Sequence, residues 1–270
     1  MGLIEKLEQI KTLVENGAGD GSGEEYEIKE CDYLFTWGKR LDIISDLYKH
    51  IKPTSANYMF GATSNTTSEA PLEQLNYINK IDFSNATHLE RFLASVTYIN
   101  FPEELVLKLD NCTSLNYAFQ GYAGTRNLKR VILKNTTNVT NWGYCFYTGF
   151  NRTDDLYNKK MEELELDMSS CTNCTYFFHS PTNTYSCCKF LSKIIFTGSF
   201  GGNSTTSTLT LDMSLLEAMT KDSFIEMFES LGENTGGKTR IIQISSTIYD
   251  MMSEDELVIA TNKGYTITSK

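Results

Sequence analysis

Leu107-Lys-Leu-Asp-Asn-Cys-Thr-Ser-Leu-Asn-Tyr-Ala-Phe119 holds every part of a unit that recurs along the chain. It opens on Leu-x-Leu alternation, which puts both leucines on one face of a strand. A polar turn follows, then Thr113, a lone apolar Leu115 and the triplet Tyr117-Ala-Phe119. The triplet recurs at Tyr33-Leu-Phe35, Tyr58-Met-Phe60, Tyr144-Cys-Phe146 and Tyr176-Phe-Phe178. Thr54, Thr113, Thr140 and Thr172 each stand six residues before the phenylalanine, and a degenerate copy keeps the frame with Thr87, Leu89, Arg91 and Leu93. Successive copies are 25, 33, 26, 27 and 32 residues apart, a variation expected when insertions fall on one side of a stack.

Strand signals lie between the triplets at Ile81-Asp-Phe83, Leu107-Lys-Leu109, Val131-Ile-Leu133, Leu164-Glu-Leu166 and Ile194-Ile-Phe196. One unit cannot bury its leucine, tyrosine and phenylalanine alone. Stacked units bury them against each other and align the strands in one parallel sheet. Aligned in this way, Arg130, Glu163 and Lys193 share one outward column, and Asp110, Lys134 and Asp167 another. Opposite charges on adjacent strands are ordinary cross-strand pairs.

This order of strand, Ser/Thr/Asn-rich turn and aromatic block, over about residues 26–200, resembles the BspA-like leucine-rich repeats of the Treponema-pallidum type. The units are longer than usual there, and Arg91 and Leu93 depart from the aromatic block. The resemblance implies a leucine-rich-repeat-like solenoid with short parallel strands and an irregular or helical convex side. The ending Asn262-Lys-Gly-Tyr-Thr-Ile-Thr268 is similar to one found in repeat proteins of gut bacteria and their phages and prophages.

Outside the repeat, Leu3, Leu7, Ile10 and Val14 form an apolar seam at steps of 4, 3 and 4. A helix this short is marginal alone, so it reads as a coiled-coil or anchoring arm. Asn16-Gly-Ala-Gly-Asp-Gly-Ser-Gly-Glu then reads as a flexible linker. The expected division is an arm at 1–16, a linker at 17–25, the solenoid at 26–200 and an α/β capping region at 201–270. In the last, Thr220 caps a helix carrying Phe224, Met227 and Phe228, with Gly232 as its stop. A strand follows at Ile241-Ile-Gln-Ile244, and Ser253-x-x-Glu256 is a capping box.

The formal net charge of −10 and the absence of a Lys/Arg run argue against non-specific nucleic-acid binding and binding to anionic lipid. No apolar run has the length of a membrane span. The first residues lack the signal-peptide pattern, so synthesis in a cytoplasm without secretory export is expected. Cys171-x-x-Cys174 and the Cys187, Cys188 pair invite a zinc reading, but Cys174 occupies the repeat position of Leu89 and Leu115, which favours small apolar filler. His50, His88 and His179 read as loop residues. The acidic strand Glu162-Glu-Leu-Glu-Leu-Asp167 supplies carboxylates, but its place in the repeat favours cross-strand pairing over glycoside hydrolysis. The repeated Asn-x-Thr tripeptides read as turns.

No cofactor, metal or catalytic residue is expected. Two settings fit. One is a phage tail, baseplate or head-fibre protein, a homo-oligomer such as a trimer, joined to other virion proteins and attaching to a host surface protein or glycan. The other is a bacterial adhesin or scaffold, at the cell surface or in the cytoplasm, with a protein partner. Candidate binding surfaces are the outward strand residues Asp82, Lys108, Asp110, Arg130, Lys134, Glu163, Glu165 and Asp167, and the loops around Asn65 and residues 148–158.

Overall fold

Apolar residues alternate in Glu104–Lys108, Arg130–Lys134, Glu163–Met168 and Lys193–Phe200, and each segment is a strand. The computed structural model describes residues 27–34, 47–61, 78–94, 97–98, 102–120, 124–125, 128–147, 161–179 and 188–270. The arm residues Leu3, Leu7, Ile10 and Val14, the linker, Asn65 and residues 148–158 lie outside these.

In chain order the strands are β1 (Ile28–Glu30), β2 (Ile51–Ser55), β3 (Thr97–Tyr98), β4 (Glu104–Lys108), β5 (Gly124–Thr125), β6 (Arg130–Lys134), β7 (Glu163–Met168), β8 (Lys193–Phe200), β9 (Thr208–Asp212), β10 (Thr239–Ile244) and β11 (Thr266–Ser269). The helices are α1 (Lys221–Ser230), α2 (Ser246–Met251) and α3 (Glu254–Thr261). The main sheet runs β4-β6-β7-β8, all parallel, and the chain winds as a parallel β-solenoid of about four turns. Leu105, Leu107, Val131, Leu133, Leu164, Leu166, Ile194 and Phe196 point inward and are buried, so the alternation read from the sequence sets the core face.

The corner after each strand explains the recurring threonine. The Thr87, Thr113, Thr140, Thr172 and Thr206 hydroxyls each donate to the carbonyl of the corner threonine one turn earlier, at 3.1–3.3 Å. Backbone N–H groups of Thr87, Thr113, Thr140 and Thr172 donate to the same carbonyls. Serine would make the same bond, but the β-branched side chain is stiffer at χ1 and loses less rotamer freedom in making it. Thr206 extends the column one turn beyond the last aromatic triplet.

The expected strand at 81–83 is absent. The Asn79 side chain takes its place at the edge of β4: its amide donates to the Glu104 carbonyl at 2.7 Å and accepts from the Val106 N–H at 2.8 Å. A carboxamide carries one donor and one acceptor in the geometry of a peptide group, so it substitutes for a strand. Thr136 does the same between β6 and β7. Buried, it donates to the Asp167 carbonyl at 2.8 Å and accepts from the Asp167 N–H at 3.0 Å.

Residues 201–270 form a second parallel sheet, ordered β11-β10-β9, with helices as expected. The Thr220 side chain accepts from Ser223 N–H, and Ser253 and Glu256 make a reciprocal capping box. The α1 carbonyl end is met by Lys263, whose ammonium donates to the Phe228, Glu229 and Leu231 carbonyls. That cation satisfies orphan acceptors and opposes the negative end of the helix dipole.

Candidate functional site

The tyrosine of each triplet sits where backbone geometry disfavours it. Tyr33, Tyr58, Tyr117, Tyr144 and Tyr176 have φ between 53 and 60°, and Arg91 in the degenerate copy has 53°. Left-handed backbone at the third residue of a turn ordinarily selects Gly or Asn. Here the chain turns so that these side chains leave the core, and all but Tyr176 still donate their N–H to the next turn. Tyr58 donates to the Glu90 carbonyl, Arg91 to Asn116, Tyr117 to Gly143 and Tyr144 to Thr175, all at 2.8–3.1 Å.

The side chains stack along this edge. Ring centroids are 4.8 Å apart for Tyr33 and Tyr58, 4.5 Å for Tyr117 and Tyr144, both near-parallel, and 5.1 Å for Tyr144 and Tyr176, which meet edge to face. Arg91 does not interrupt the column. Its guanidinium lies 4.3 Å from the Tyr117 ring centroid and 5.8 Å from that of Tyr58, and it donates to Gln120 Oε1 at 3.0 Å. A cation over a ring face substitutes for a ring. Inside, Phe119 and Phe146 stack at 4.9 Å, and Phe60 meets Phe92 edge to face at 5.3 Å.

The strand face carries the charge column foreseen from the alignment. Arg130 is opposite Glu163, and Glu163 opposite Lys193. The Arg130 guanidinium contacts Glu104 and Glu163 at 2.9 Å and Glu165 at 3.7 Å. Such half-exposed pairs contribute about 0–1 kcal/mol each and serve register more than stability. The second column differs from expectation. Lys134 is opposite Lys108, and Asp110 lies in the following turn, 3.6 Å from Lys108 and accepting from the Asn135 amide. Asp167 is buried, accepts from Ser169 N–H and packs against Gly198, because the ladder is offset at the end of β7 where Thr136 enters. It is therefore no part of an exposed face. Asp82 is exposed, and bonds from Ser84 hold its carboxyl below the usual range.

The cysteines follow the core reading. Cys112, Cys145, Cys171 and Cys174 are buried, and Cys187 lies outside the described residues. Burial pushes the Cys112 thiol up to about 12, so it packs as a neutral thiol. His179 lies outside any helix or strand, in keeping with the loop reading, but it is buried, with Nε2 at 3.2 Å from Asp212 Oδ2. Sequence spacing does not reveal this pair, which joins an aromatic corner to β9 across 33 residues of chain.

That junction forms a cleft of about 370 Å³ between the corner at residues 172–179 and β9, floored also by Gln243 of β10. Its near end is shut by the Thr206 hydroxyl on the Thr172 carbonyl at 3.3 Å, and its far end by His179 on Asp212. The Cys174 thiol bridges the floor to the Thr210 carbonyl at 3.3 Å. Asp212 also accepts from Lys270 and Ser214. Burial works to raise this carboxyl, but the bonds from His179, Lys270 and Ser214 outweigh it and hold it well below the usual carboxylate range. Its oxygens are committed to closing the cleft and not to taking up a proton.

No protein-family model, curated protein or solved structure matches the chain. The site is therefore read from its own chemistry.

Proposed function

We propose that this protein is a non-enzymatic attachment module of a virus particle: a phage tail, baseplate or head-fibre protein that holds a repeat surface towards the host cell. The observation that carries the reading is the stacked column from Tyr33 through Arg91 to Tyr176, maintained at every turn despite its backbone cost. A column of partly exposed side chains on a stiff, hydrogen-bonded edge is a display surface, pre-organised so that little entropy is lost on binding. The Arg130 charge network on the strand face offers a second patterned surface.

In this reading the solenoid is of the BspA-like leucine-rich-repeat kind. Residues 1–16 associate as a coiled coil, residues 17–25 tether it, and residues 201–270 close the stack. Partners are other copies, other virion proteins and a host surface glycan or protein.

Light scattering on the full chain and on a chain lacking residues 1–24 tests the arm. The expected result is an oligomer for the first and a monomer for the second. Two monomers would overturn the coiled-coil arm and, with it, the joined-fibre part of the reading. Binding of the full chain to whole bacterial cells, absent in a Tyr58→Gly/Tyr117→Gly variant, tests attachment.

A further inference from the structure

The two edges that the solenoid leaves after its last repeat are treated differently. On the sheet side three backbone groups of β8 are met: Phe196 N–H donates to Ser230 Oγ, Gly232 N–H donates to the Gly198 carbonyl, and Phe200 N–H donates to the Tyr265 hydroxyl. On the aromatic side the ladder stops. Leu89, Leu115 and Trp142 each donate to the next turn, as do Tyr58, Arg91, Tyr117 and Tyr144, but their equivalents Cys174 and Tyr176 have N–H groups that find no acceptor among the described residues. Both line the cleft, whose opposite wall is β9. An unmet backbone donor in a partly enclosed site costs free energy that a ligand oxygen recovers.

We propose that this cleft binds a single sugar residue, a terminal or branch unit of a surface glycan; the proposal rests on the attachment reading and names the ligand class of that function. Four features select this class. The volume of about 370 Å³ lies at the low end of small-molecule pockets, about 300–1,000 Å³. Contacts at both ends close the cleft to a chain passing through. Apart from the Asp212 carboxylate and His179 at its far end, the lining is neutral and polar, with Asn173, Thr175, Thr208 and Gln243 offering hydroxyls and amides that match a polyol. Tyr176, the last ring of the column, presents an aromatic surface to the cleft, against which the C–H face of a pyranose packs.

An extended peptide is the competing occupant. Strand addition needs donors in a straight row at two-residue spacing. The left-handed backbone at Tyr176 bends the row, and the closed ends exclude flanking residues.

The test is saturation-transfer NMR on the full chain with millimolar methyl glycosides of glucose, galactose, mannose, rhamnose and N-acetylglucosamine, and with an acetylated, amidated Thr-Val hexapeptide. Two variants accompany it: Tyr176→Gly, which keeps the backbone conformation and removes the ring, and Thr208→Trp, which fills the cleft from an exposed position. Thermal unfolding confirms that each is folded, and either one alone suffices. The expected result is transfer to at least one glycoside, falling to background in the variants. No transfer from any glycoside overturns the proposal, as does transfer that persists in the folded variants, or transfer from the hexapeptide alone. Whole-cell binding by the same three proteins separates the two readings. Cells bound equally by all three, with no glycoside transfer, leave attachment standing and remove the cleft from it. Glycoside transfer without cell binding keeps the cleft and removes attachment.

Discussion

A tyrosine in left-handed backbone conformation carries a steric cost of about 1–2 kcal/mol, and among the described residues the column accepts it at five tyrosines and one arginine. Stacking of about 0.5–1.5 kcal/mol per aromatic pair offsets much of that cost. The consequence reverses an ordinary rule. In regular structure glycine is about 0.5–1 kcal/mol worse than alanine. At Tyr117, where φ is 57°, Tyr117→Ala loses the stack and keeps the strain, whereas Tyr117→Gly loses the stack and relieves the strain. Tyr117→Gly is therefore expected to be more stable than Tyr117→Ala by about 1 kcal/mol in urea unfolding. Alanine more stable than glycine would mean that the left-handed turn relaxes when the ring is removed.

Asp212 sets the response to acid. Its carboxyl lies lower in the folded chain than in the unfolded one, so the folded state binds fewer protons. The contribution is complete above about pH 4 and drains away as pH falls below that. The stability difference between the natural chain and Asp212→Asn should be largest near neutrality and shrink steadily in acid. A difference independent of pH from neutrality into acid would show that the His179 and Lys270 contacts are not made in solution.

At the scale of elements, side chains splice the backbone ladder where the strands fall out of register. Asn79 completes the β4 edge and Thr136 joins β6 to β7. Thr136→Val keeps the shape and leaves the Asp167 N–H and carbonyl unmet in a buried place, at a cost of about 2–4 kcal/mol. Thr136→Ser keeps the hydroxyl and should cost less than about 1.5 kcal/mol. Denaturant midpoints of the two variants check this; equal losses would assign the effect to packing and not to the hydroxyl. Arg240 plays a similar part at the turn after β8. Buried, it donates to the carbonyls of Gly201, Ser204, Thr206 and Thr239, so one guanidinium organises the chain's departure from the solenoid.

For the whole molecule, stability accumulates from turn to turn, and an uncovered last turn presents a row of open groups. A chain ending at residue 200 would expose the β8 edge that Ser230, Gly232 and Tyr265 now meet, together with buried Phe196 and Phe200. Sedimentation should find it self-associated or unfolded. A monomer with an unchanged melting temperature would show that residues 201–270 add nothing to the stack.

The sequence by itself determined the solenoid, because its signals are local and repeated. Leu-x-Leu sets the inner face, the threonine recurs because its hydroxyl reaches one carbonyl, and the triplet recurs because every turn bends alike. It also placed the Arg130–Glu163–Lys193 column and the helix caps of the C-terminal region, since register and capping are read from spacing. Only the tertiary structure decided which residues repair the irregular turns and where the ladder opens. Asn79, Thr136, Arg240 and the His179–Asp212 pair act on partners 25 to 39 residues away, through distances that no short-range pattern encodes. Asp167 departed from the expected pattern for the same reason: the extra residues of β8 between Phe196 and Phe200 bring Gly198 against its carboxylate and bury it, and period-two alternation cannot show where such an offset falls.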